Sequence, residues 1–541
     1  MDIKEFVKKK ENWIRLVSML LFFVMSYMGI KFCNAGHSYE QDHPFRIFCI
    51  CFSILVLINL PKKDVLTIGS LLFIPLCYVA THYGYEYHII PDNCDYKFVD
   101  LIRLGKLVAL GWGLMIIALL KHIIRLDLPR EFLLYLRKVP RMKKLLLLGW
   151  CGYVALFTVV NPGYAYLIVF TIGFSAFFII SRKPERQRLL FAAFSDGVLL
   201  CFMMVSVRAM MHRPYDTERY LFYFSNENMA GMYLAAMLVT VIARLHAVWT
   251  MAKSRLRTFA LVFLHALLVW NGILIFYNYT RTYLFGMIFA FLGYLILLLK
   301  KSDKKKRTLG RFFLPVVLTI LSLYPGYLIL RHVPAVFSSP RFFYGEEFNE
   351  TRVHPGDPAD SPKYTSLARY LTLSFGKWGI DLHIEDGQEE LAEEEGVVSI
   401  NSERDVSNGR IYVWKLFLSH MTIDGHYPGD ITEEDGHVIY HAHNTYFQNM
   451  FQYGIPAGLY FGLGIFLLWL YAAIRFAKEK DADASLVFSF LGIGVVMIGM
   501  LTEWSGHPVY PFGILMMLAI SRLFCSGAED KEAAKADPAK A

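Results

Sequence analysis

Two histidines, His441 and His443, stand at the head of the stretch "HAHNTYFQNMFQYGIPAGLYFGL", residues 441–463. The stretch runs directly into apolar sequence, so the pair sits where a membrane span is expected to begin. Asn444 is of a type that caps helices, which puts His443 at the positive end of the helix that follows. A helix N-terminus favours neutral imidazole over imidazolium. A neutral imidazole accepts a proton, as a general base must. In extended chain His441 faces the same way as His443. A His-x-His metal pair is the other reading, but no third or fourth ligand follows at metal-site spacing.

Two arginines fit the same chemistry. "YNYTRTYLFG" sets Arg281 in a tight turn between two apolar segments, where it either snorkels to lipid headgroups or binds an anion. "SNGRIYVWKLFLSHM", residues 407–421, reads as a helix capped by Ser407 or Asn408, with Ile411, Trp414, Phe417 and Leu418 on one face. Arg410 then falls in the first turn, where a cation opposes the helix dipole. An anion held there would satisfy both the guanidinium and the free backbone N–H groups. Arg213 and Arg219 flank a further apolar segment and are secondary candidates for phosphate contact; Asn228 and His441 are further secondary site candidates. Glu503 and His507 mark another turn of the same side. Asp196, Arg208 and Lys106 fall inside spans, where structural ion pairing is the simpler reading. Tyr446 and Gln448 read as packing and capping residues. Together, two arginines and a neutral histidine suit a substrate with a diphosphate and an acceptor hydroxyl: the arginines stabilise the leaving diphosphate, and the histidine takes the proton.

The elements that must position these residues are membrane helices. The chain is 55% hydrophobic over 541 residues, with a mean hydropathy of +0.39, which is too apolar for a soluble enzyme of this size. Runs of about 20 apolar residues, enough to span a bilayer, recur from end to end. They predict an all-α polytopic integral membrane protein of about 12–14 transmembrane helices. The individual spans fall at 13–30, 45–60, 64–82, 101–123, 145–160, 163–181, 189–210, 229–250, 258–278, 282–299, 311–330, 445–471, 485–502 and 509–524. The net charge of +9 resides in basic loops, six of which alternate along the chain and are expected to be cytoplasmic by the positive-inside rule. That accounts for the charge without nucleic acid. Both termini are then cytoplasmic, and no cleavable leader is evident at the basic N-terminus.

Four regions follow: N-terminal spans in 1–331, one large extracytoplasmic loop in 332–440, C-terminal spans in 441–524, and a disordered cytoplasmic tail in 525–541. Between Arg341 and His441 the loop carries 20 acidic against 8 basic residues, and its acidic insert covers about 345–400. Of eight cysteines, Cys33 and Cys94 fall in expected external loops, where a disulfide and chance placement are both open.

The pattern "NGRIYVWKLFLSHMTIDGHYPGD" followed by "HNTYFQNMFQYGIPAGL" resembles the bacterial O-antigen ligase and Wzy-type polymerase superfamily. "FSNENMAGMYLA", 224–235, is similar to that family's Asn-Pro-Asn stretch, with Glu227 in place of proline. "YTRTYLFGMIFAFL" is similar to its Ser-Arg hairpin, with Thr280 for serine. The resemblance covers about 220–470; the outer loop is longer and more acidic than is usual in the family. It implies a GT-C-like, inverting, metal-independent glycosyltransferase without a cofactor. The donor would be a glycan on undecaprenyl diphosphate at the outer face of the bacterial cytoplasmic membrane. The acceptor would be another glycan or a lipid-linked one. His443 would be the base, and Arg281 and Arg410 would hold the diphosphate, with Asn444 and Trp414 beside them. Membrane lipids are expected partners, and a flippase or chain-length regulator is a candidate one. Polymerase and ligase are not separated by these residues. The alternative is a lipid-linked oligosaccharide flippase or other multi-span transporter, which should instead place its charges near the bilayer midplane and show two similar halves.

Overall fold

A computed structural model of the chain describes residues 10–34, 42–73, 98–125, 175–181, 184–212, 220–224, 226–278, 280–302, 304–336, 410–423, 441–479, 483–501 and 511–524, with isolated positions between and beside them. All the regular elements among the described residues are α-helices. Seven are long and apolar enough to cross a membrane, or eight if one bent pair counts as a single span. Shorter apolar helices at His43–Asn59, Ala484–Gly499 and Gly513–Phe524 accompany them. The protein is an all-α, multi-pass membrane protein. The expected spans at 145–160 and 163–181 and the second half of that at 64–82 lie largely outside the described residues, as do the acidic insert, the tail 525–541, Cys94, Arg213, Arg219, His507 and the capping pair Ser407 and Asn408.

The chain forms two compact units. The first comprises Met1–Cys201, Phe466–Ile493 and His507–Ala541. It holds α1 (Lys10–Asn34), α2 (Asp42–Asn59), the short α3 (Lys62–Val65), α4 (Phe98–Arg125) and the start of α5 (Pro184–His212). Helix α2 packs along both α1 and α4. Lipid is as apolar as leucine, so helices in a bilayer associate through close fit, small residues and interhelical hydrogen bonds. Each appears here. Phe22 is fully buried, 6.3 Å from Phe177 and 5.3 Å from Phe194 between ring centroids. Asn59 Nδ2 donates to Ser18 Oγ at 3.2 Å. Gly197 of α5 lies so close to α1 that a Cβ on it would be 2.3 Å from the Met19 carbonyl oxygen.

Several charges of this unit are paired among the described residues. Asp196 meets Arg15 at 2.7 Å, the structural ion pair expected of an intramembrane carboxylate. Buried Asp64 lies 2.9 Å from His122 Nδ1 and 2.8 Å from Arg125. Arg522 donates through Nε to Ser485 Oγ at 2.7 Å and lies 3.3 Å from Asp483. Burial works against the Asp483 charge, but Arg522 and hydrogen bonds from Ser485 and Leu486 outweigh it and hold the carboxyl below its ordinary range. Of Lys106 only the backbone, within α4, is described.

The second unit comprises Phe202–Ile465 and Gly494–Gly506. Its helices are α6 (Glu227–Thr250), α7 (Arg255–Asn278), α8 (Arg281–Lys301), α9 (Lys305–Leu321), α10 (Leu323–Val336), α11 (Arg410–Ser419) and α12 (Thr445–Tyr453); α13 (Ile455–Lys478) begins in it and α14 (Ala484–Gly499) ends in it, while α15 (Pro511–Phe524) belongs to the first. Helix α7 packs along both α6 and α9. Arg208, another intramembrane charge, lies over the Tyr223 ring at 5.0 Å.

Two expected spans are broken, which corrects the sequence reading. The span at 311–330 bends by 48° between α9 and α10. Pro325, in the first turn of α10, has no N–H for a continuous helix, so the chain restarts there. The span at 445–471 breaks at Gly454, whose φ of +89° and ψ of 152° suit glycine alone. His443 therefore precedes a helix of nine residues rather than a long span.

Gly197→Ala should loosen the α1–α5 contact. We expect a loss of about 1–3 kcal/mol, the usual cost of overpacking, read as a lower thermal midpoint of the purified protein with helix content unchanged.

Candidate functional site

The site is built where the start of α12, the start of α11 and the turn after α14 converge. Asn444 caps α12: its Oδ1 accepts from the N–H groups of Tyr446 and Phe447, both at 3.0 Å. The same side chain reaches across to α14's end, donating Nδ2–H to the Leu501 carbonyl at 2.7 Å. Three more bonds fasten the same junction. Thr445 N–H donates to Met500 O at 2.8 Å, Thr445 Oγ1 to Glu503 O at 2.6 Å, and Tyr446 Oη to Met497 O at 2.8 Å. Burial pushes the Tyr446 phenol above its ordinary range, so it remains a donor. Gln448 serves the preceding turn, its Oε1 accepting from Ala442 N–H at 2.7 Å.

This staple fixes His443. Its φ is +47°, a left-handed conformation uncommon for any residue but glycine, though histidine tolerates it better than most. The turn brings the His441 and His443 rings to 4.3 Å between centroids, on the same side as the sequence suggests for extended chain. Among the described residues no group of three or more His, Cys, Asp or Glu is placed to hold a metal ion.

Helix α11 packs against α12. Phe417 meets Phe451 edge-on at 4.9 Å, within a core that includes Ile431 and Ala442. Trp414 meets Phe447 edge-on at 5.8 Å, the position of a packing residue. Phe417 is buried, with Val413 and Leu416 partly buried beside it. This corrects the expected face in part: Trp414 and Phe417 pack on α12, while Ile411 and Leu418 are 51% and 48% exposed. The helix is apolar almost all round, so spacing alone did not choose between stripes.

At the first turn of α11, Arg410 Nη2 donates to Glu503 Oε1. The other carboxylate oxygen, Oε2, lies 3.7 Å from His443 Nδ1. The expected anion at the start of α11 is thus a side chain of the protein itself. Sequence reasoning noted Glu503 only as a turn marker; the available signal was a lone carboxylate directly after an apolar helix. The side chain of Glu503 is 8% exposed and that of His443 38%. Nδ1 of His443 is buried, while the side chain as a whole is partly exposed.

Of the expected diphosphate pair, Arg410 lies in this cluster. For Arg281 only the backbone is described: it is the first residue of α8, after Thr280. Two residues on, Tyr283 is fully buried and fills the space above Gly499, where a Cβ would be 2.7 Å from its ring. Gly499 O in turn accepts from Glu503 N–H at 3.2 Å. The head of α8 therefore abuts the same end of α14 that carries Glu503. The turn before α8 is tied to the head of α6. Thr280 Oγ1 donates to Glu227 O at 2.9 Å, and Asn278 Nδ2 donates to Tyr220 O and Glu227 O at 3.0 and 3.1 Å. Asn228 lies in the same α6 turn, its N–H donating to Asn226 Oδ1 at 2.8 Å.

No protein-family model matches the chain, and no curated protein or solved structure shows significant similarity to it.

Replacing Asn444 removes both a cap and a bridge. Asn444→Ala should cost about 1–2 kcal/mol. Asn444→Asp keeps the capping oxygen but loses the donor to Leu501, so its midpoint in a thermal melt should fall between those of wild type and the Ala variant.

Proposed function

We propose that the protein is a glycosyltransferase of the outer face of a bacterial cytoplasmic membrane, GT-C-like in architecture. It transfers or polymerises glycan from an undecaprenyl-diphosphate-linked donor to a sugar hydroxyl, with inversion and without a metal. The observation that carries this reading is the meeting of Arg410 and His443, 33 positions apart in the chain, at one carboxylate. A fixed guanidinium beside a partly exposed imidazole suits displacement of a diphosphate by an alcohol. The abutment of the α8 head on the same α14 end supports Arg281 as the second diphosphate ligand.

The acceptor oxygen attacks the anomeric carbon as the bond from that carbon to the diphosphate oxygen breaks. The hydroxyl proton passes to His443 Nε2, and undecaprenyl diphosphate leaves with its negative charge. Arg410 would engage phosphate oxygens through its guanidinium, which carries five N–H donors. Its planar fork grips two oxygens at once, which an ammonium does not.

The test is transfer from native lipid-linked glycan by purified protein in the presence of EDTA. His443→Ala should lower kcat by about 100-fold or more with donor binding retained. Arg281→Lys and Arg410→Lys should each slow transfer. Wild-type turnover in both Lys variants would defeat the diphosphate clamp. Movement of lipid-linked glycan across a sealed vesicle, unimpaired by His443→Ala, would favour a flippase instead.

A further inference from the structure

The transferase reading assigns roles to Arg281, Arg410 and His443 but none to the group that joins two of them. We propose that Glu503 is the positioning residue of the site, one carboxylate that holds the Arg410 guanidinium on Oε1 and orients the His443 ring from Oε2. The inference rests on the transferase reading and adds a residue to it.

The geometry is asymmetric in an informative way. On the arginine side there is a charge-assisted hydrogen bond. On the histidine side the 3.7 Å separation is an ionic contact, longer than a hydrogen bond. Nδ1 of His443 is buried and has no hydrogen-bond partner among the described residues. A buried imidazole nitrogen facing a carboxylate is the arrangement that selects a tautomer: the proton stays on Nδ1, towards the carboxylate, and Nε2 carries the lone pair. Catalytic hydrogen bonds are commonly long before substrate arrives and tighten in the reacting complex. When the acceptor proton reaches Nε2, the imidazolium so formed lies next to the Glu503 carboxylate.

Glu503 is also held at both ends of its own backbone. Its N–H donates to Gly499 O at 3.2 Å, and its carbonyl accepts from Thr445 Oγ1 at 2.6 Å. Thr445 is two residues from His443, so the segment that presents the imidazole also clamps the carboxylate. A side chain serving only to pin α11 to the α14 end would need the arginine contact alone. It would not need its second oxygen directed at an unpaired ring nitrogen.

A mutant cycle separates these roles. Kinetics are measured on purified wild type, E503Q, H443A and the double variant, with lipid-linked glycan extracted from a strain lacking this chain. Thermal midpoints give the folded fraction. We expect E503Q to lower kcat per folded enzyme by at least about tenfold, the lower range for losing an orienting partner. In the H443A background the same change should alter residual turnover by less than about threefold, because residues acting as one unit are not additive. E503D keeps the arginine contact but draws the second oxygen back, so its kcat should lie between wild type and E503Q. If E503Q does not accumulate as folded protein, E503D carries the cycle against H443A. Wild-type kcat in the Glu503 variant, or an equal fold-loss in both backgrounds, would overturn the positioning role while leaving the transferase reading standing. No transfer by wild type itself would overturn the transferase reading and this inference with it.

Discussion

A carboxylate that water hardly reaches has to be matched by a cation, because an unmatched buried charge costs several kcal/mol. Glu503 imposes that requirement on the second unit. It stands after an apolar helix, 6% exposed, and the guanidinium of Arg410 answers it. The consequence is geometric. The start of α11 cannot move away from the end of α14 without separating the pair, and α12 is stapled to the same end through Asn444, Thr445 and Tyr446. Three segments that are distant in sequence are held as one by a single ionic contact and a handful of hydrogen bonds around it.

The class of the fold was legible in the sequence because bilayer helices announce themselves by length and hydropathy. Spans such as 229–250 and 258–278 agree closely with α6 and α7. Breaks inside apolar runs were harder to read. Gly454 and Pro325 interrupt their helices while leaving the hydropathy profile intact, so a window average passes over them. The stripe on α11 was misjudged for a related reason: with Ile411, Val413, Leu416 and Leu418 all apolar, several faces satisfy a helical period, and only the neighbour at Phe451 decides among them.

The candidate site was legible residue by residue but not as a network. His443, Asn444 and Arg410 stood out because each is a polar type at a helix start. Their connection through Glu503 was not readable, because a carboxylate 93 positions from its arginine leaves no mark in local spacing. Arg410 meets an anion at the start of its helix, but one that comes from the chain and not from a ligand. The ties from Asn278 and Thr280 to the Glu227 carbonyl were equally silent, being side-chain to backbone bonds that depend on the fold alone.

The joint at Gly454 also bears on how the protein tolerates its solvent. Helices tilt when hydrocarbon thickness changes, to keep their apolar length matched to it. A rigid rod from residue 445 to 478 would transmit any such tilt to its own first turn. The turn at Gly454 instead starts α13 as a separate helix packed on α12, with the Phe461 ring 5.9 Å from that of Tyr446. The bilayer-crossing length then begins beyond the joint, at Gly458–Lys478, and the turn that carries the imidazole is held by its own bonds to the α14 end.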